Sequence, residues 1–373
     1  MSAAADKETG RRFLRIAAFA IAGLFVACAV IAVALARSRT LVPDFVDFWA
    51  AGRLTAAGHA ASAYNVAVHH AVEAQAVPDV GTLPFPYPPF VLPFLAPFGL
   101  LPLWIGLGAW LVITTGLYLV QVRRLFPARF ALAQAAGGAN FITGQNGFLT
   151  SAILIGGTNL LARSPFVAGA VLGLLCFKPQ LAILLPVALL AGREWRASAG
   201  GVLSALLLVG VGLLLYGTSA YRGFFANLPQ YSQWLAAGRW PWGELASVFA
   251  LLRYFGVAQG PALVVHSAIA LAAAAVTAWA WALKLDHRVP VLAAATLLVA
   301  PYLFTYDGLL LTLPLAWLWR REGTAMTLAV WMFSLLPVIS YFRPFPNTIP
   351  IAAMLALGTL VAAGRTPASA YQV

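Results

Sequence analysis

The stretch 102–124 reads PLWIGLGAWLVITTGLYLVQVRR. Between Pro102 and the pair Arg123-Arg124 no side chain is charged, so the segment can form a helix whose backbone groups are all bonded internally, as a bilayer demands. Its roughly twenty residues make about 30 Å at 1.5 Å per residue, the thickness of a hydrocarbon core. The arginine pair marks the cytoplasmic end, because short Lys- and Arg-rich loops stay inside. The remainder of the chain has the same character: of 373 residues 62% are apolar and only 9% charged. Soluble domains carry about 25% charged residues, so an all-α, polytopic membrane protein is expected. The net charge of +12 is distributed in short basic clusters between apolar runs. That is a pattern of membrane anchoring, and no nucleic-acid partner is expected.

Working outward, apolar runs fall at 13–36, 102–122, 129–143, 147–162, 165–177, 180–191, 198–216, 260–284, 290–306, 308–319, 324–341 and 348–364. Arg123 and Arg124, Arg163, Arg193 and Arg196, Lys284 and Arg288, Arg320 and Arg321, and Arg365 sort to one side with the N-terminus. These features predict one membrane domain over 1–373 with about twelve spans (ten to thirteen) and both termini cytoplasmic. The run 13–36 follows Lys7, Arg11, Arg12 and Arg15 but exceeds the length of a signal-peptide core, so an uncleaved first helix is expected. The opposite side receives a long first loop, 37–101, with helices lying along the interface, and an aromatic loop, 217–259. Within the first loop, 86–101 reads as either a re-entrant helix or a further span. Cys28 and Cys176 lie within apolar runs and are expected to be packing residues with no disulfide.

Acidic residues are scarce, 11 against 23 Lys and Arg, and a carboxylate beside a bilayer needs a partner or a task. Glu194, Asp286 and Glu322 neighbour cytoplasmic cations. Six acids are left for the outer side: Asp44, Asp47, Glu73, Asp79, Glu244 and Asp307. Asp44 and Asp47 follow Pro43 at i and i+3, on one face of an amphipathic run, where acids also serve as helix-start charges. Lys178 ends an apolar run and precedes Pro179, at the tip of a hairpin too short to cross; a lysine there either snorkels or meets an anion such as a phosphate. Asp307, in Thr305-Tyr306-Asp307, either pairs with an outer cation such as Arg343 or caps the following helix. Beside His59, His69 and His70 no Asp, Glu or Cys is taken to stand at ligand spacing, so no metal site is expected. His266 reads as a packed core histidine. Tyr221, Phe224, Phe225, Tyr231, Trp234, Trp240 and Trp242 form either an interfacial belt or a stacking surface for a sugar or lipid.

The order of these pieces resembles bacterial glycosyltransferase family 87, within the GT-C superfamily. The resemblance rests on Asp44-Phe45 with Trp49-Ala50-Ala51-Gly52-Arg53, Gly58 through Tyr64, Tyr87-Pro88-Pro89, Gly144-Gln145-Asn146, Lys178-Pro179 with Trp195-Arg196, and Tyr306-Asp307. It implies a GT-C-like helical bundle that takes a sugar, most commonly mannose, from a polyprenyl-phosphate donor and passes it to a hydroxyl of a membrane lipid or glycan. It also matches the family's acidic residue to Asp44 rather than Asp47. Relatives carry Asn-x-Ser where this chain has Gly243-Glu244-Leu245-Ala246-Ser247.

Inverting transfer needs one base for the attacking hydroxyl and positive charge for the leaving phosphate, but no general acid, because a phosphate leaves unprotonated. Asp44 suits the base. Lys178, with Arg53 and Arg343, suits the phosphate. Asp47 and Asp307 are expected as supporting or structural carboxylates, and Tyr87, Gln145, Asn146, Gln180 and Tyr306 as lining. No cofactor is expected and a divalent metal is not favoured. The expected location is the bacterial inner membrane with the site on the periplasmic face. The alternatives are a transporter or flippase of a lipid-linked glycan, and an O-antigen polymerase or ligase, which Arg222 and Arg239 keep open. Binding acids near the midplane and inverted repeats would mark a transporter; here the acids gather at one face.

Overall fold

The computed structural model describes residues 44–82, 85–123, 125, 127–239, 242–321, 324–341 and 344–365. The expected first membrane run and Arg343 lie outside the described residues. Helix accounts for 79% of the structure, and no strand occurs among the described residues. The first helix among the described residues, α1 (Phe45–Ala56), is followed by α2 (Val66–Ala76) and α3 (Leu92–Gly99), so much of the stretch expected to be the first loop is helical. Segment 86–101 resolves into an apolar helix over Pro89–Gly99. At about 16 Å it cannot cross a bilayer. It packs instead against α1, closely enough that a Cβ on Gly52 would strike the Leu95 carbonyl and one on Gly99 the Arg53 amide.

The stretch that begins after Pro102 forms α4 (Leu103–Val122), twenty residues long. Then come α5 (Ala135–Thr143), α6 (Gly147–Leu160), α7 (Pro165–Gly173), α8 (Leu184–Ala191) and α9 (Trp195–Ala236). The chain continues with α10 (Gln259–Ala282), α11 (Arg288–Val299), α12 (Thr312–Arg321), α13 (Thr324–Leu335) and α14 (Ile349–Arg365). Three helices are long and apolar enough to span: Leu103–Val122, Trp195–Trp234 and Gln259–Ala282. Most of the other described apolar runs become helices of 10–17 residues, while 129–143 breaks into Ala128–Leu132 and Ala135–Thr143. Among the described residues, therefore, length and composition support three spans where the hydropathy pattern suggested many more. Helix α11 illustrates the difference. None of its twelve residues is exposed, and the nine from Pro290 through Leu298 are all buried by protein, so its apolarity serves a core.

The aromatic segment after 216 also departs from expectation. Gly217 adopts φ 65°, a left-handed geometry that glycine tolerates, and the helix then resumes to Ala236. Much of the expected loop is thus helical, carrying Tyr221, Phe224, Phe225, Tyr231 and Trp234. The hydroxyl of Tyr221 donates to the Val209 carbonyl at 3.0 Å. Twelve residues of straight helix would hold these about 18 Å apart, so the chain folds back on itself at Gly217. The returning limb rests on the first loop through Phe224 against Tyr64 (6.0 Å between rings) and Asn227, which donates to the Tyr64 carbonyl.

Two apolar cores result. One gathers the first loop and the start of α4 around Phe45, Phe48, Trp49, Tyr64, Phe85, Tyr87 and Trp110. The other is built from α6, α7, α8, α11, α12 and α14. Leu149 and Phe177 pack against both, and the polar residues of interest lie along the seam these two side chains mark.

Candidate active site

The seam begins at Asp44. It stands immediately before α1 but makes no capping bond; its Oδ2 instead accepts from Gln145 Nε2 at 3.2 Å. Gln145 belongs to the turn between α5 and α6, where Gly144 takes φ 69° and packs so tightly on Phe45 and Leu107 that a side chain would not fit. The turn is pinned further by Asn140, whose Oδ1 accepts from the Gly147 amide and whose Nδ2 donates to the Tyr306 carbonyl. Desolvation raises the carboxyl of Asp44 from its ordinary range to about 6, opposed by the Gln145 hydrogen bond and helped by the charges of Asp47 and Glu244.

The next residue of the turn, Asn146, is buried and joins both cores. Its Nδ2 donates to the Tyr87 hydroxyl at 2.8 Å, and its Oδ1 accepts from Lys178 Nζ at 2.9 Å. Lys178 is 3% exposed and forms an ion pair with Asp307 at 2.5 Å. The ammonium also lies 4.8 Å from the centre of the Tyr306 ring. The second oxygen of Asp307 accepts from the Phe304 amide, so this aspartate both pairs and caps. The cation it meets among the described residues is Lys178; Arg343 lies outside them. The geometry reflects chain position: Phe177, wedged between the cores, presents Lys178 at the helix break before Pro179, and the turn 305–311 meets it.

Asp44, Gln145, Asn146, Lys178, Tyr87, Tyr306 and Asp307 therefore form one connected polar array. Three other described candidates, Arg53, Gln180 and Asp47, do not join it. Arg53 is exposed, stacks 5.3 Å from the centre of a Trp49 ring and donates to the Gly99 carbonyl at 3.5 Å; it belongs to the α1–α3 contact, because nine residues of helix separate it from Asp44. Gln180 is half-buried in the turn after Lys178 and makes no bond to the array among the described residues. The backbone carbonyl of Glu244 accepts from Thr305 and Asn347, which holds that glutamate beside the turn bearing Asp307. Asp79 is exposed.

Asp47 is one turn further along α1 and faces a different group. Its Oδ1 lies 2.9 Å from His69 Nε2, which in turn lies 3.5 Å from Glu73 Oε1. The expectation that no ligand-type residue stands beside these histidines is corrected here: Glu73 follows His69 by one helical turn, at i+4, and α1 supplies the aspartate. Two carboxylates overcome the desolvation of His69 and raise its imidazole to about 9. The i, i+4 spacing of His69 and Glu73 was the available signal. The participation of Asp47, 22 residues earlier, had none. His59 is exposed, and His266 lies 3.2 Å from the Val299 carbonyl, in keeping with a packed histidine.

A buried cation–anion pair, a half-buried carboxylate near neutrality and a cluster of aromatic rings can together hold a polar substrate and accept a proton from it. Comparison with known proteins adds an independent finding. Nothing among curated proteins or solved structures matches the chain. The profile of glycosyltransferase family 87 matches residues 85–305, which include Tyr87, the Gly144–Asn146 turn and Lys178. That match covers more than half of the chain, which belongs to glycosyltransferase family 87.

Proposed function

We propose that the protein moves a sugar, mannose by family habit, from a polyprenyl-phosphate donor to a hydroxyl of a lipid or glycan acceptor, with inversion and with Asp44 as general base. The observation that carries this reading is the coupling of Asp44, through Gln145 and Asn146, to the Lys178–Asp307 pair. A carboxyl with a pKa of about 6 is largely ionised at neutral pH and still has useful proton affinity, which is the compromise a general base needs. Lys178 contributes positive field on the side of the departing phosphate. Because Asp307 and Asn146 already occupy its ammonium, it acts from a fixed position and holds the turn that holds Asp44. Direct capture of the phosphate by Lys178 requires Asp307 to release it.

In this reading about twelve helices, the three long ones and shorter ones packed around them, place the array at the periplasmic face of the bacterial inner membrane, with both termini cytoplasmic. The donor arrives within the bilayer, so no nucleotide-binding loop is required. Reconstituted protein supplied with polyprenyl-phosphate mannose and a membrane extract as acceptor tests the proposal. Asp44→Asn is expected to lower turnover by about 10²–10⁴-fold, the usual contribution of a positioned base, while the protein remains folded. Near-normal turnover by this variant removes Asp44 from the role. A lipid and glycan profile of a strain lacking the protein identifies the sugar and acceptor.

A further inference from the structure

The cluster of Asp47, His69 and Glu73 has no part in the proposed transfer, and its composition is unusual for a buried site. Asp47 is 8% exposed, His69 0% and Glu73 1%. Two carboxylates face one imidazole, so even with His69 protonated the group keeps one negative charge. Glu73 Oε2 and His69 Nδ1 are buried without a hydrogen-bond partner, and an unpaired buried carboxylate oxygen is costly. His70 brings a second imidazole, its Nδ1 3.6 Å from Glu73 Oε2 and likewise without a hydrogen bond.

The donor atoms of Asp47, His69 and Glu73 all lie within 4.8 Å of one another. Zinc bonds of about 2.1 Å in tetrahedral geometry put ligands about 3.4 Å apart; the observed His69 separations of 2.9 and 3.5 Å bracket that spacing. The ligands come from two helices that pack together, and Asp47 keeps 12% side-chain exposure, which leaves a rim for entry. We propose that Asp47, His69 and Glu73, with His70 as the adjacent fourth donor, bind a divalent transition ion of the zinc or manganese class. Imidazole with carboxylate is a donor set suited to these ions. The ion neutralises the excess charge and ties α2 to α1 three residues after Asp44. It lies outside residues 85–305, the part of the chain the family profile matches.

The test uses the full chain purified in detergent, stripped with chelator and then exposed to Zn²⁺ or Mn²⁺ at neutral pH. One equivalent should remain after desalting, and its X-ray absorption should show a shell of imidazole nitrogen and carboxylate oxygen. Glu73→Gln, which removes one charge with little change of volume, should weaken binding about 100-fold or more, beyond the 10–100-fold typical for residues that merely support a ligand. Asp47→Asn provides a second variant if the first fails to fold. Absence of metal above the detergent background in the wild type overturns the proposal. So does equal uptake by the folded variants, or a shell lacking imidazole, either of which marks an adventitious ion. None of these measurements depends on glycosyl transfer, so the metal site and the proposed function fail separately.

Discussion

The two buried ionic groups are built differently. In the Lys178–Asp307 pair one positive and one negative charge meet, and the remaining capacity is satisfied by Asn146, by the Phe304 amide and by the Tyr306 ring. In the Asp47–His69–Glu73 group negative charge is in excess and buried atoms are left unbonded. The first is complete within the protein, its charges and hydrogen-bonding groups already matched. The second is complete only with a cation supplied from outside. Burial alone does not distinguish them, since both are nearly inaccessible; charge balance and hydrogen-bond satisfaction do.

The contrast predicts how each group responds to losing a member. The largest effect is expected at Asp307. Replacing it with Asn leaves Lys178 buried without its counter-ion and should cost about 3–5 kcal/mol, read as a lowered unfolding midpoint in detergent. The double change Lys178→Met with Asp307→Leu should recover most of that loss. Strict additivity of the two single changes would show that the ion pair does not act as a unit. Glu73→Gln should behave in the opposite sense. In metal-free protein it removes surplus negative charge and leaves a neutral Asp47–His69 pair, so stability should change by less than about 1 kcal/mol, within the range of mild substitutions. A loss as large as that at Asp307 would erase the difference between the groups.

A smaller effect is expected at Asp44, at the end of the array that holds the Lys178–Asp307 pair. Its carboxyl is raised to about 6, so transfer should fall as pH drops through 6, where the base becomes protonated. The Gln145 hydrogen bond favours the ionised form. Its loss in Gln145→Leu should therefore move the acidic limb of the pH–rate profile upward, away from its wild-type position. An unmoved limb would mean that another group sets it.

Much of this array is legible from residue patterns. Sorting the basic loops to one side forces the polar interruptions at 44, 145–146, 178 and 306–307 to the other, and the fold does connect them. Which partner each residue takes is not legible. Lys178 and Asp307 are 129 residues apart, and their pairing depends on how the break after Phe177 meets the 3₁₀ turn 305–311. Short apolar runs mislead for a related reason. A helix such as α11 owes its apolarity to surrounding protein, and hydropathy cannot tell that from surrounding lipid. Gly217 marks a break in the sequence, but a single glycine does not reveal whether the chain afterwards unwinds or resumes as helix.

The seam at Leu149 and Phe177 has a mechanical consequence. Asp44 and Tyr87 ride on one packed body, Lys178 and Asp307 on the other, and the Gly144–Asn146 turn bridges them. Packed cores resist deformation far more than the boundary between them. A slight shear along this parting line alters the distance from base to cation while each body keeps its shape. Trimming Phe177, which packs beside Tyr87 and directly precedes Lys178, is thus a way to detune the spacing of the reacting groups without altering any of their own polar atoms.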